Sequence, residues 1–205
     1  MQRPAEIPSE AFQDILDELQ RQPLAVNAYR KRAGLGRSQT FGLVNRRCLP
    51  PDYSRECWKR PLLYKHLLDF AEKYVDISWN AITVNQGYRA AAHRDKGNEG
   101  VSYLVGCGDY QGGALQILEG DSKGVYDIRH RPIIESFGDK LHSVDEFQGN
   151  RISLVFYTLK FKGNPPTLPP PSVTLIDGRW KFKRGEEVCN GLPHPLKGRK
   201  KDSGL

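Results

Sequence analysis

The chain has 205 residues, enough for one domain with a substantial core, and its composition of 38% hydrophobic and 27% charged residues is that of a globular protein. No run of 18 apolar residues occurs, and the N-terminal MQRPAEIPSEAF lacks the apolar stretch of a secretory leader, so the sequence predicts neither a membrane span nor export. A net charge of +7 suits a polyanionic partner.

The four cysteines, Cys48, Cys57, Cys107 and Cys189, form no C-x-x-C pair. That argues against a zinc ribbon or dithiol redox site and for a reducing, intracellular setting, cytoplasmic or nuclear.

In chain order, SEAFQDILDELQRQ (residues 9–22) predicts an amphipathic helix, with Ser9 as its cap, Phe12, Ile15, Leu16 and Leu19 on one face, and Pro23 as its stop. The Gly- and Arg-rich RKRAGLGRSQTFGLVNRR predicts a loop with a short strand at TFGLV. A second helix is expected over 59–75, with Pro61 in its first turn and Leu63, Leu67, Phe70 and Tyr74 on one side.

From about residue 77 short β-branched and aromatic runs take over (ISWNAITVN, VSYLVG, ALQILEG, VYDIR, PIIES, RISLVFYTLKF), separated by Gly, Asp and Asn turns. Many short strands at close spacing predict an antiparallel barrel or jelly roll supported by N-terminal helices, an α+β, mainly β fold. We expect one domain over 1–162, helical to about 76 and β from about 77. Beyond it, 163–205 reads as a Pro-rich linker (GNPPTLPPP), one further strand in SVTLIDGRWKF and a basic tail, KGRKK.

AAHRDKGN, residues 91–98, holds the candidate chemistry. It is not a kinase catalytic loop: the position five residues after Asp95 is Gly100 rather than Asn, and no D-F-G follows. GCGDYQGG likewise departs from G-x-G-x-x-G at Gln111. His93 and Asp95, two apart on an extended segment, project to one side and can share a metal ion if a distant strand brings a third ligand.

The candidates for that ligand are His130 and His142. His142 stands before a long apolar strand, whereas His130, between two arginines, is expected in a groove or at the surface. His66 falls in the second helix and His194 in a loop. Arg151 and Ser153 share one face of the strand RISLVFYTL, and a buried arginine there calls for an anion.

His93-x-Asp95, His142 and Arg151-x-Ser153, in this order and spacing, resemble the iron(II)/2-oxoglutarate-dependent dioxygenases, over roughly residues 77–160. The R-x-S ending is similar to that of the TET/JBP-like and AlkB-like nucleic-acid dioxygenases. Asn85 and Tyr88 resemble the N-x-Y pair of AlkB-like enzymes, spaced one residue wider. The double glycine of GDYQGGALQI is similar to the turn before a barrel strand in that superfamily.

The resemblance implies a double-stranded β-helix with iron(II) on His93, Asp95 and His142, and 2-oxoglutarate on Arg151 and Ser153, helped by Asn85 and Tyr88. It also implies O₂ as co-reactant and ascorbate as a reductant. The implied reaction oxidises a methyl group on a base such as 5-methylcytosine, thymine or an N-methylated base in DNA or RNA.

Arg94, Lys96, Asn98 and Arg89, beside the ligands, and Arg46 and Arg47, before the barrel, are the expected substrate contacts. Two alternatives stay open: the same chemistry on a protein side chain or small molecule, and a non-catalytic nucleic-acid-binding module on a jelly roll. The intact ligand set favours an enzyme. No protein partner is implied.

Overall fold

The computed structural model describes residues 1–26, 34–47, 49–161, 168–185 and 187–188. Cys48, Cys189, His194, most of GNPPTLPPP and the basic run at 197–201 lie outside the described residues. Among the described residues no helix is long and apolar enough to cross a membrane.

The helix expected over 9–22 divides into a 3₁₀ turn, Ser9–Phe12, and α1, Gln13–Arg21. Ser9 does not cap it: the preset φ of Pro8 (−57°) starts the turn, and Ser9 lies inside it. Phe12, Ile15 and Leu19 are buried as their spacing predicts, and Leu16 is half-buried. The second helix is preceded by a short one. α2 (Arg55–Lys59) is capped by Ser54, whose hydroxyl accepts from the Glu56 N–H at 3.2 Å, and α3 (Pro61–Tyr74) follows with Pro61 in its first turn.

The strands are β1 (Gly34–Arg46), β2 (Leu49–Tyr53), β3 (Ala81–Ala90), β4 (Asn98–Cys107), β5 (Tyr110–Gly112), β6 (Leu115–Ile117) and β7 (Gly124–Tyr126). After them come β8 (Ile133–Glu135), β9 (His142–Val144), β10 (Phe147–Gly149), β11 (Ile152–Leu159), β12 (Pro171–Ile176), β13 (Arg179–Arg184) and β14 (Glu187–Val188).

Six form the major sheet, in the order β2-β1-β3-β11-β4-β8. A small sheet, β7-β6-β9, and a two-stranded ribbon, β10-β5, face it. All these pairings are antiparallel, and the chain is an α+β, mainly β jelly roll with helices on one face of its major sheet.

Alternation along β11 assigns the two faces. Ile152, Leu154 and Phe156 point into the main core, where they meet α1, α3 and Phe41. Arg151, Ser153, Val155, Tyr157 and Leu159 point the other way and form the floor of a cavity.

Two segments depart from expectation. β1 runs for 13 residues where a loop with a short strand was expected. Its glycines permit this: Gly36 has φ +115°, and a Cβ there would lie 2.1 Å from the Gly87 carbonyl oxygen, at a register shift between β1 and β3. SVTLIDGRWKF, expected as one strand, makes two. β12 and β13 are joined through Asp177 (φ 50°) and Gly178 (φ 71°), both left-handed, as a tight Asp-Gly hairpin requires.

Candidate active site

The cavity between the major and small sheets has a volume of about 460 Å³. His142 is the first residue of β9, which pairs with β6 on one side. On its other side β9 bridges the extended segment before β4. The His93 N–H donates to the His142 carbonyl and the His142 N–H to the His93 carbonyl, each at 2.9 Å. This reciprocal pair brings candidate ligands distant in sequence side by side. Asp95 is set by its own N–H, which donates to the Phe137 carbonyl at 2.9 Å, and by its carbonyl, which accepts from the Asn98 N–H at 2.8 Å.

One ligand atom from each of His93, Asp95 and His142 lies within 4.8 Å of the others. The His93 Nε2 is 3.3 Å from Asp95 Oδ1, and the His142 Nε2 is 3.8 Å from Asp95 Oδ2. Donors about 2.1 Å from an ion and at right angles to one another stand about 3 Å apart, so small side-chain movements suffice to close on one.

The ring nitrogens are already sorted for that task. His93 Nδ1 lies 2.8 Å from the Ala91 carbonyl and His142 Nδ1 2.9 Å from the Lys140 carbonyl. A carbonyl only accepts, so each Nδ1 is the nitrogen placed to carry a proton there, which leaves each Nε2 facing Asp95 as the atom available to a metal. Burial pushes His142 below the usual imidazole pKa, and the Lys140 carbonyl and Asp95 push the other way. The buried ring of Phe137 packs against His142 with centroids 4.9 Å apart. Two imidazoles and one carboxylate on one side of an open cavity are the donor set of a facial iron(II) site.

Arg151 lies at the closed end, 2% exposed, its Nε donating to the Gly113 carbonyl at 3.0 Å and its guanidinium lying near the rings of Tyr110 (5.6 Å) and Phe147 (5.7 Å). No carboxylate within ion-pair distance meets it among the described residues. A buried cation so placed fits a carboxylate ligand. Burial lowers its pKa from the usual value, and the nearby Tyr110 and Cys107 act in the opposite direction.

Ser153 and Asn85 are register partners on β11 and β3, and Asn85 Nδ2 donates to Ser153 Oγ at 3.2 Å beside Arg151. Tyr88 lines the same cavity.

The expected substrate contacts separate into three kinds. Lys96 and Asn98 line the cavity, and Asn98 donates to Ser102 Oγ at 3.1 Å. Arg94 also lines it, but its charge is held by Glu119 through two hydrogen bonds of 2.9 and 2.6 Å, while Arg89 pairs with Glu146 at 2.7 Å. Arg46 and Arg47 do not line it: Arg46 pairs with Asp52 at 3.3 Å, and Arg47 is exposed in the turn after β1. His130 is half-buried and lines a surface groove beside Arg129 and Arg131, as expected, with its ring stacked on Phe12 at 5.1 Å between centroids. His66 lies half-buried, 3.7 Å from Asp14.

Sequence reasoning missed the far end of the cavity. There the Tyr157 hydroxyl receives the Thr83 hydroxyl hydrogen bond at 3.3 Å, and Thr83 lies 3.3 Å from Thr40 Oγ1. Period-two counting from Ser153 and Asn85 reaches Tyr157 and Thr83, so the signal was available.

The jelly roll is similar in fold to solved structures. The chain superposes on NgTET1 in complex with 5mC DNA with a TM-score of 0.55 at 14% identity, covering 75% of this chain and 69% of that one. It also matches a Pseudomonas putida prolyl-4-hydroxylase (TM-score 0.48, 16% identity, 78% and 92% covered). A 2OG-Fe(II) oxygenase family protein from Burkholderia pseudomallei matches as well (0.47, 16%, 69% and 74%). No protein-family model and no curated sequence matches the chain. The likeness defines the fold.

Proposed function

We propose that this protein is an iron(II)- and 2-oxoglutarate-dependent dioxygenase that oxidises a methyl group on a nucleobase in DNA or RNA. The observation that carries the class is the pairing, across one cavity, of the His93–Asp95–His142 cluster with the buried Arg151, which meets no carboxylate among the described residues. An iron ion on the triad supplies oxidation of a substrate C–H bond by O₂, coupled to conversion of 2-oxoglutarate to succinate and CO₂.

The rest is positioning by the chain. Arg151 and Ser153 fix the distal carboxylate at the closed end, and the apolar walls of Leu104, Leu115 and Val155 flank the cosubstrate's methylenes and exclude water.

The nucleobase reading rests on the open end. Tyr157 offers a ring for stacking, and Thr83 and Asn98 offer hydrogen-bonding groups for the edge of a planar polar ligand. Lys96, at the rim with no ion pair among the described residues, is placed to meet a flanking phosphate. NgTET1, with the same fold, was solved with 5mC DNA.

The test is mass spectrometry of nucleosides from 5-methylcytosine-containing DNA and RNA incubated with the protein, iron(II), 2-oxoglutarate, ascorbate and O₂. An oxidised methyl group supports the reading. Unchanged nucleosides beside a hydroxylated peptide or small molecule would move the substrate to another class, and no succinate with any substrate would remove the activity.

A further inference from the structure

Residues 168–205 hold 8 of the 31 Lys and Arg but only 4 of the 24 Asp and Glu, so this short part of the chain carries +4 of the net +7. Alternation along β13 sorts its cations. Trp180, Phe182 and Arg184 face the domain: the Lys65 ammonium lies 5.7 Å from the Trp180 ring centroid, Phe182 belongs to the main core, and Arg184 pairs with Asp52 at 3.1 Å. Arg179, Lys181 and Lys183 therefore share the outer face of the β12–β13 hairpin.

Arg179 is exposed and the two lysines are half-buried, as expected of stems that lie along a surface while their ammonium groups reach water. None of the three has an ion pair or a side-chain hydrogen bond among the described residues. Their register partners on β12 are Ile176, Thr174 and Ser172, none of them acidic. Successive cations in the row stand about 7 Å apart and repel one another, and the cross-strand carboxylate that would relieve this is missing from all three positions. The row is also held firmly, because the inner face of the same hairpin is packed and ion-paired to the domain. A polyanion of regular charge spacing offsets the repulsion.

We propose that the outer face of the β12–β13 hairpin binds the phosphate backbone of a nucleic acid, as a contact separate from the cavity and indifferent to base sequence. The row spans about 13 Å, long enough to meet successive phosphates of one strand. That the polyanion is a nucleic acid rests on the nucleobase reading above. The basic run KGRKK at 197–201 follows in sequence and carries the same sign of charge.

The test compares wild type, Lys181→Gln/Lys183→Gln and a charge-matched control, Lys73→Gln/Lys123→Gln, whose lysines are exposed elsewhere on the molecule. Binding of a labelled DNA oligonucleotide, methylated or not, is measured by fluorescence anisotropy between about 50 and 200 mM salt. The hairpin variant should lower the slope of log K against log salt by about 1 to 2 and raise the Kd about fivefold at the lowest salt, equally for both oligonucleotides. The control should keep the wild-type slope. The hairpin variant should melt at the wild-type temperature or above it, since it loses a repulsion. An unchanged slope, an equal change in the control, or a lower melting temperature overturns the proposal. So does a hairpin-dependent affinity for phosphatidylserine vesicles without one for DNA, which assigns the face to a membrane. Oxidised nucleosides with an unchanged slope reject the hairpin contact alone, whereas a hairpin-dependent slope without oxidised nucleosides rejects the nucleobase reading and leaves the contact standing.

Discussion

Arg151 shows how one residue carries both burial cost and function. It stands immediately before the strand that floors the cavity, and its guanidinium lies near two aromatic rings in space that Gly113 leaves open. A Cβ at Gly113, whose φ is +69°, would lie 2.7 Å from Arg151 Cδ and 2.8 Å from Nε. Arg151→Ala should therefore raise the 2-oxoglutarate KM by at least about tenfold while leaving the metal Kd near wild type. Gly113→Ala should do the same through displacement of the guanidinium. Steady-state kinetics and metal titration check both, and an unchanged KM in Arg151→Ala would separate the arginine from the cosubstrate. The Arg151-x-Ser153 pair was legible from strand alternation. The part played by Gly113 was not, because a glycine that makes room for a residue 38 positions away leaves no local pattern.

At the scale of elements, the ligands depend on how β9 is seated. Glu119, after β6, accepts the Leu141 N–H at 2.7 Å and holds Arg94 through both carboxylate oxygens. It thereby fixes the residue before His142 and the residue between His93 and Asp95. The Leu141 N–H and then the Arg94 guanidinium hold its carboxyl below the usual pKa. A depressed carboxylate contributes stability above its unfolded pKa and loses it as pH falls through the folded value. Glu119→Gln should accordingly weaken metal binding about tenfold at neutral pH and reduce the acid-side fall in the melting temperature. Metal titration and a pH series of melting curves measure these effects, and wild-type values in both would show that β9 seats itself without Glu119.

The same scale explains what the sequence concealed. The helices were legible because their apolar stripes are long, although the capping of α1 was not. β1 was hidden because Gly and Arg are poor strand formers by propensity. Its close approach to Gly87 and its pairing with β3 override that preference. The small sheet consists of three-residue strands, too short for any alternation to show.

For the molecule as a whole, the net charge of +7 overstates the open basic surface, since Arg89, Arg94 and Arg46 are each paired with a carboxylate. Composition counts charges, whereas the fold decides which of them are already neutralised. The C-terminal hairpin makes a similar point about boundaries. Residues that read as a strand beyond a linker supply Phe182, 1% exposed, to the main core. Its ring contacts those of Trp58, Tyr53 and Tyr64, at 4.6, 5.3 and 5.7 Å between centroids. The Tyr53 hydroxyl donates to the Pro169 carbonyl at 3.0 Å, and Arg184 pairs with Asp52 at 3.1 Å. The hairpin thus braces α2, α3 and β2 on the helical face, opposite the cavity. Phe182→Ala should cost about 3–5 kcal/mol, the range for an aromatic removed from a packed core. In a chain of this size that corresponds to a fall on the order of 10 °C in Tm. Below the new transition the Kd for 2-oxoglutarate should stay at the wild-type value, because the residues proposed to hold it lie on the other face of the major sheet. Calorimetry and ligand titration on one preparation test both statements, and a wild-type Tm would show that the hairpin rests on the domain without stabilising it.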